Sequence, residues 1–347
     1  VQRIFIHPLL RFFRGQYAIK TFPSNSPYSA KSDKVVNVKS LFFLPFLLTT
    51  PLLAVSPAFS GDAPWMTGPL ITPSARVLDP GQGLIEPYVY WFVIDGFYQH
   101  DWSVQSKPTF YQVVPEFVGK FGLVERLNFT IAMRSYYNSV DGTSDTSFGD
   151  INAGFDLALL HPDKEGVALK LSVQEFFPTG DYNELQIDSF GTDVGGLGSW
   201  GTLIGLTANK LFHFCGEHYL NVRINTTYLY LTKVHVKGLN VYGGGPETEG
   251  TVYPGRIFRF LAAGEFSLTK HITLALDFVS IFGSKNRFVG HTIDPLDLGS
   301  DIQFSLAPAI EYNFNKDIGI IVGSWFTFAG RNSPQFASLV GAINIVI

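Results

Sequence analysis

The chain has 347 residues, of which 46% are hydrophobic, 15% aromatic and only 16% charged, with 25 Lys+Arg against 29 Asp+Glu. A single cysteine, Cys215, excludes a disulfide framework and a multi-cysteine metal site. Mean hydropathy is +0.16 and the one long apolar run lies near the N-terminus, which excludes a polytopic helical membrane protein.

Residues 1–38 form a basic, irregular N-terminal extension. No Met precedes Met66, so either the natural start is an alternative codon read as Val, such as Val35, Val36 or Val38, which is the favoured expectation, or the leader is unusually long. Residues 39–60, KSLFFLPFLLTTPLLAVSPAFS, read as a secretory signal peptide. Lys39 supplies the positive start, Leu41 to Val55 the apolar stretch, and Ala58 and Ser60 the small residues of a cleavage site. Pro45, Pro51 and Pro57 disfavour a stable spanning helix. Seven of the bases and one of the acids fall within 1–60, so the remainder carries about −10, which speaks against a nucleic-acid partner.

Residues 61–82 contain four prolines and little periodicity, and are expected as an irregular periplasmic or plug segment. From 83 to 347 apolar and polar residues alternate with the period of a strand. Twelve strands are expected, at about 83–94, 109–121, from 127, 148–160, 167–177, 199–212, 218–232, 256–268, 272–282, 301–314, 318–329 and 335–346. Connections read as alternately long and short, with long ones between 94 and 109 (a polar loop containing Asp95, Gly96, His100 and Asp101) and at 138–147, 178–198, 233–255 and 283–300. Tight periplasmic turns and long external loops mark an up-and-down outer-membrane barrel, with both termini in the periplasm. The expected fold class is therefore all-β, a transmembrane antiparallel β-barrel of about 12 strands, set in the outer-membrane lipid of a Gram-negative cell.

Strand parity separates two faces. Leu127, Phe129, Ile131 and Met133 oppose Asn128, Thr130, Ala132 and Arg134. In a membrane barrel the apolar face turns outward. Tyr88, Tyr90, Phe117, Phe121, Tyr228, Tyr230, Tyr312 and Phe314 are accordingly expected in outward aromatic girdles. The same parity assigns Glu116, Lys120, Arg134, Asp156, Lys170, Arg223, Arg259, Glu265, Asp277 and Glu311 to the lumen. Five acids and five bases can line a water-filled passage, or pack a narrow interior with ion pairs. Neither arrangement implies strong selectivity for cations or anions.

No GxSxG, HExxH, P-loop or dinucleotide fingerprint is present, so neither an enzyme nor a bound cofactor is expected. Asp141, Asp145 and Asp150 read as solvated loop charges, since their spacing matches no recognised calcium site.

The segments SFGDINAGFDLALLHPDKEGVALKLSVQEFFPTGDY (147–182) and SWGTLIGLTANKLF (199–212) resemble the outer-membrane barrels named for the MetA pathway of phenol degradation. The shared pattern is a Gly-Asp opening a strand (Gly149–Asp150), a short turn, and a strand closing on Pro178-Thr179-Gly180. The opening 67–90 is similar to barrels of this kind from intracellular bacteria. The resemblance implies a transport barrel and carries no catalytic residue. The chain departs from the usual aromatic terminus of such barrels, closing on AINIVI with Ile347 last. The expected function is a passive pore or transport barrel for small solutes, apolar or aromatic ones included. The alternative is a closed surface-structural or adhesion barrel acting through its external loops.

Overall fold

The computed structural model describes residues 64–160, 166–215, 218–294, 296 and 299–347; the expected extension and signal peptide lie outside them. In chain order the strands are β1 (Gly83–Tyr98), β2 (Val104–Val124), β3 (Leu127–Val140), β4 (Thr143–Phe148), β5 (Ile151–Leu160), β6 (Val167–Phe177), β7 (Gly201–Cys215) and β8 (His218–Leu231). They continue as β9 (Val234–Lys237), β10 (Glu249–Tyr253), β11 (Ile257–Ser267), β12 (Ile272–Gly283), β13 (Arg287–His291), β14 (Asp301–Asn313), β15 (Ile318–Arg331) and β16 (Ser333–Val346).

Antiparallel pairing runs β1-β2-β3-β5-β6-β7-β8-β11-β12-β14-β15-β16. It closes where β16 returns to β1, from Leu84↔Val346 to Tyr98↔Ser333. β4 and β5 are two halves of one wall strand, pairing with successive parts of β3 on either side of Gly149–Asp150. The wall is thus a closed twelve-strand antiparallel barrel, as the sequence led one to expect. Closure leaves the ring itself without an open edge, as the hydrocarbon interior of a membrane demands, and only the short β4 at the rim pairs on one side alone among the described residues.

The outer surface exposes Phe117, Phe155, Leu206, Ile224, Leu276, Ile310, Val322 and Leu339, while Asn128, Thr130, Asn225, Thr227, Gln303 and Ser305 are buried within the ring. This apolar-out, polar-in alternation is stable in lipid and would be costly in water.

The expected alternation of connections holds for only half of the external end. Segments 178–200, 232–256 and 284–300 are long, but 99–103, 141–142 and Asn332 are tight turns. Residues 138–147 are not a loop: β3 and β4 run on as a hairpin closed by Asp141 (φ 49°) and Gly142 (φ 84°). Two successive positive φ values are the geometry that suits a two-residue hairpin, and Asp-Gly adopts them readily. The three long segments form a cap over one side of the rim. Within it β9, β10 and β13 make a three-stranded sheet. Leu185, Val194, Leu197, Val236, Tyr242 and Val252 pack beneath it as a second apolar core.

Candidate functional site

The barrel interior gathers the residues that sequence parity assigned to it. Glu116, Arg134, Asp156, Lys170, Arg223, Arg259, Glu265, Asp277 and Glu311 are buried, and Lys120 is half-buried. Cross-strand neighbours pair. Arg134 Nη2 lies 3.2 Å from Glu116 Oε1, Lys170 Nζ 3.4 Å from Asp156 Oδ2, and Arg223 Nε 2.6 Å from Glu265 Oε2. Glu86, which parity did not assign to the lumen, accepts Lys120 Nζ at 2.7 Å. Two further carboxylates, Asp150 and Asp301, are also buried. Asp150 serves the fold: its oxygens accept the Gly180 N–H at 3.1 Å and the Leu197 N–H at 2.9 Å, fastening the 178–200 segment to the wall.

The expected outward placement of Tyr88 and Tyr90 is wrong. Tyr90 is 0% exposed and faces inward, whereas its neighbour Trp91 is 49% exposed and faces lipid. Both parities of β1 are apolar, so alternation contains no direction there. The other six girdle aromatics, Phe117, Phe121, Tyr228, Tyr230, Tyr312 and Phe314, are outward and exposed. Inside, Tyr88, Tyr90 and Phe92 stack along β1 with centroids 6.0 and 5.8 Å apart. Phe92 meets Phe336 at 5.4 Å and Trp325 at 5.8 Å. Trp325 Nε1 donates to Ser305 Oγ at 2.8 Å, which satisfies its one polar atom. The interior therefore has an apolar, aromatic cluster centred on β1, β15 and β16, while the ion pairs are spread over β1 to β3, β5, β6, β8 and β11.

Residues 64–82 run within the periplasmic half of this interior. Their prolines prevent helix or ladder formation, so their N–H groups need other acceptors. Wall side chains provide them. Glu311 Oε2 accepts from Thr67 N at 3.0 Å and Thr67 Oγ1 at 3.1 Å. Asp277 accepts from Ile71 N at 3.2 Å and Thr72 N at 2.8 Å. Asn209 and Asn128 accept from Ala75 N at 3.0 Å and Leu78 N at 3.1 Å. At the mouth, Trp65 N donates to Lys270 O at 3.2 Å, and its ring meets His271 edge-on at 4.9 Å. Leu70 is fully buried against β15, where a Cβ on Gly323 would come within 2.7 Å of Leu70 Cδ1. A cleft of about 210 Å³ remains beside the segment, lined by Arg76, Leu78, Glu86, Lys120, Lys316 and Val346 among others.

From the external side, segment 178–200 folds into the mouth. Asn138 Nδ2 donates to Thr192 O at 2.8 Å, Ser147 Oγ donates to Val194 O at 2.9 Å, and Phe190 packs on the interior apolar wall. Asp193 on this segment has its carboxyl pushed above the ordinary value, first by burial and further by Asp145 and Asp181. Among the described residues no group of three His, Cys, Asp or Glu is placed to hold a metal.

No family model and no curated sequence matches the chain. Among solved structures, an outer membrane channel from Pseudomonas putida F1 superposes with a TM-score of 0.61 at 16% identity, over 79% of this chain and 98% of that one. The fold is that of an outer-membrane β-barrel. The channel from Pseudomonas putida is of the phenol-degradation family that the 147–212 region resembles. Two more distant barrels also align. One is the β domain of the Bordetella autotransporter BrkA (TM-score 0.43, 9% identity, 77% of this chain and 99% of that one). The other is the Pseudomonas putida toluene transporter TodX (0.39, 10%, 78% and 90%).

Proposed function

We propose that the chain is a non-enzymatic outer-membrane transport barrel that passes small solutes, apolar and aromatic ones included, by passive diffusion. The observation that carries this reading is the aromatic wall of Tyr88, Tyr90, Phe92, Trp325 and Phe336 inside the ring. The rings are closed over by one another and by Leu70 and Ile71 of the inner segment, and an apolar lining of this kind is what a route for solutes that water rejects requires. The facing ion pairs keep most charges neutralised in place, which supports weak ion selectivity. With Glu86, Asp150 and Asp301 included, the buried carboxylates outnumber the buried cations. The lumen residues that parity identified act here as the polar wall of the route.

A second reading, a closed structural barrel, is favoured by the presence of 64–82 and 178–200 in the two mouths. Refolded protein in a planar bilayer distinguishes the two. Discrete conductance steps, with faster liposome uptake of small aromatic solutes than of sugars of equal size, are the expected result. No conductance together with unchanged liposome permeability would sink the transport reading and favour the closed barrel.

A further inference from the structure

The outer wall carries an aromatic patch near its external rim. Cross-strand register sets Tyr228, Phe258, Phe282, Ile302 and Arg331 in one outward row across β8, β11, β12, β14 and β15. Next to this row Phe304 lies 6.0 Å from Phe282, 6.3 Å from Phe278 and 6.3 Å from Phe328. Phe328 joins through a β-bulge: Phe304 faces Ala329 but Ser305 faces Thr327, so Phe328 is the extra residue and its ring turns outward. Trp102, held at φ 71° in the β1–β2 turn, stacks on Phe304 at 6.3 Å. Ser280 points outward amid these rings yet is 3% exposed, because they close over it.

Aliphatic side chains suffice for ordinary lipid contact, so the rings alone specify nothing. The flanking cations do. Arg331 shares the outward row, and its Nε is buried with no hydrogen-bond partner among the described residues. Across the patch, the Arg256 guanidinium sits 5.7 Å from the centre of the outward Tyr230 ring. Lys285 is exposed at the same rim. Three strand spacings from β11 to β15, with Arg256 two residues off the row of Arg331, put the two about 16 Å apart along the wall. A cation on the lipid face is tolerated where it reaches headgroup level. A guanidinium there matches a phosphate with two parallel hydrogen bonds.

We propose that this patch binds a phosphorylated, multiply acylated glycolipid of the outer leaflet. Its acyl chains lie on Phe258, Phe278, Phe282, Phe304 and Phe328, and its phosphates sit on Arg256 and Arg331. The site is independent of solute transport, so either reading can fail without the other.

Native mass spectrometry of the full chain in mild detergent tests it. The probe is a bisphosphorylated, acylated glucosamine disaccharide, compared with the same lipid stripped of phosphate and with a zwitterionic phospholipid. Discrete binding of the first is expected, weakened roughly tenfold by dephosphorylation or by Arg256→Gln with Arg331→Gln. Heat-modifiable mobility on gels confirms that the double variant is a folded barrel. Equal affinity for the dephosphorylated lipid would overturn the proposal using wild-type protein alone, whatever the variant does. Undiminished binding by a folded double variant would overturn it as well.

Discussion

Asp277 holds Thr72: its Oδ1 accepts the Thr72 backbone N–H at 2.8 Å while Oδ2 accepts that of Ile71 at 3.2 Å. β12 thereby fastens the middle of the segment inside the barrel. Asp277→Ala removes both acceptors and leaves two backbone donors in the interior unsatisfied. Each charge-assisted bond contributes about 1.5 kcal/mol or more. Amide exchange at Ile71 and Thr72 should therefore accelerate roughly a hundredfold, with exchange in β7 and β8 unchanged. Equal protection in the variant would show that the segment is seated by other means.

Gly319 makes room for the same segment. A Cβ there would collide with Thr67 Cγ2 and Asn313 Oδ1. Gly319→Ala is expected to make residues 64–78 more sensitive to limited proteolysis. Thr67→Ser deletes the clashing methyl but keeps the hydroxyl that donates to Glu311. Adding it should recover part of the loss, with a coupling energy on the order of 1 kcal/mol. Strictly additive effects would place the strain elsewhere.

Trp325 is 1% exposed and fills the aromatic wall between Phe92 and Phe336. Trp325→Ala should destabilise the barrel by about 3–5 kcal/mol, read as a lower urea midpoint in detergent. It also enlarges the interior on its apolar side. Liposome uptake of sugars should rise relative to uptake of small aromatics. A preserved preference for aromatics would remove Trp325 from the proposed solute path.

Asp193 predicts a pH response of segment 178–200. Burial raises its carboxyl above the ordinary value of 3.8, opposed by the Gln186 N–H and reinforced by Asp145 and Asp181. A raised carboxyl favours the folded segment when protonated. Stability should grow as pH falls from neutrality through the raised value, and stop growing below the ordinary one. Amide exchange over 186–194, corrected for intrinsic rates, should slow as pH falls from neutrality toward the ordinary carboxylate value. Asp193→Asn should abolish the trend, and a variant that keeps the full trend would assign it to another group.

Much of the barrel was legible because alternation is a direct print of a two-sided wall. Asn128 and Arg134 face Leu127 and Met133 across β3, and only one orientation is stable in lipid. The aromatic wall was not legible for the complementary reason. On β1, Tyr88, Tyr90 and Phe92 alternate with Val89, Trp91 and Val93, so polarity does not distinguish inside from outside. Glu86 carried the missing signal, since its parity is that of Tyr88 and its charge belongs inside with Lys120. The tight turn at Asp141–Gly142 was hidden by the polar residues around it, although Asp-Gly is itself a hairpin signal. The partners of 64–82 lie more than a hundred residues away in the case of Asn209, Asp277 and Glu311, where no local pattern reaches.

The inner segment also has a mechanical direction. Its first tie is Trp65 to Lys270 at the β11–β12 turn, and its last is Gly81 to Gly122 on β2. Between them Glu311, Asp277, Asn209 and Asn128 engage successive residues in order. Tension applied at residue 64 from the periplasm meets these ties one at a time and peels them like a zipper. A load spread over the whole segment from the external side is shared among all of them.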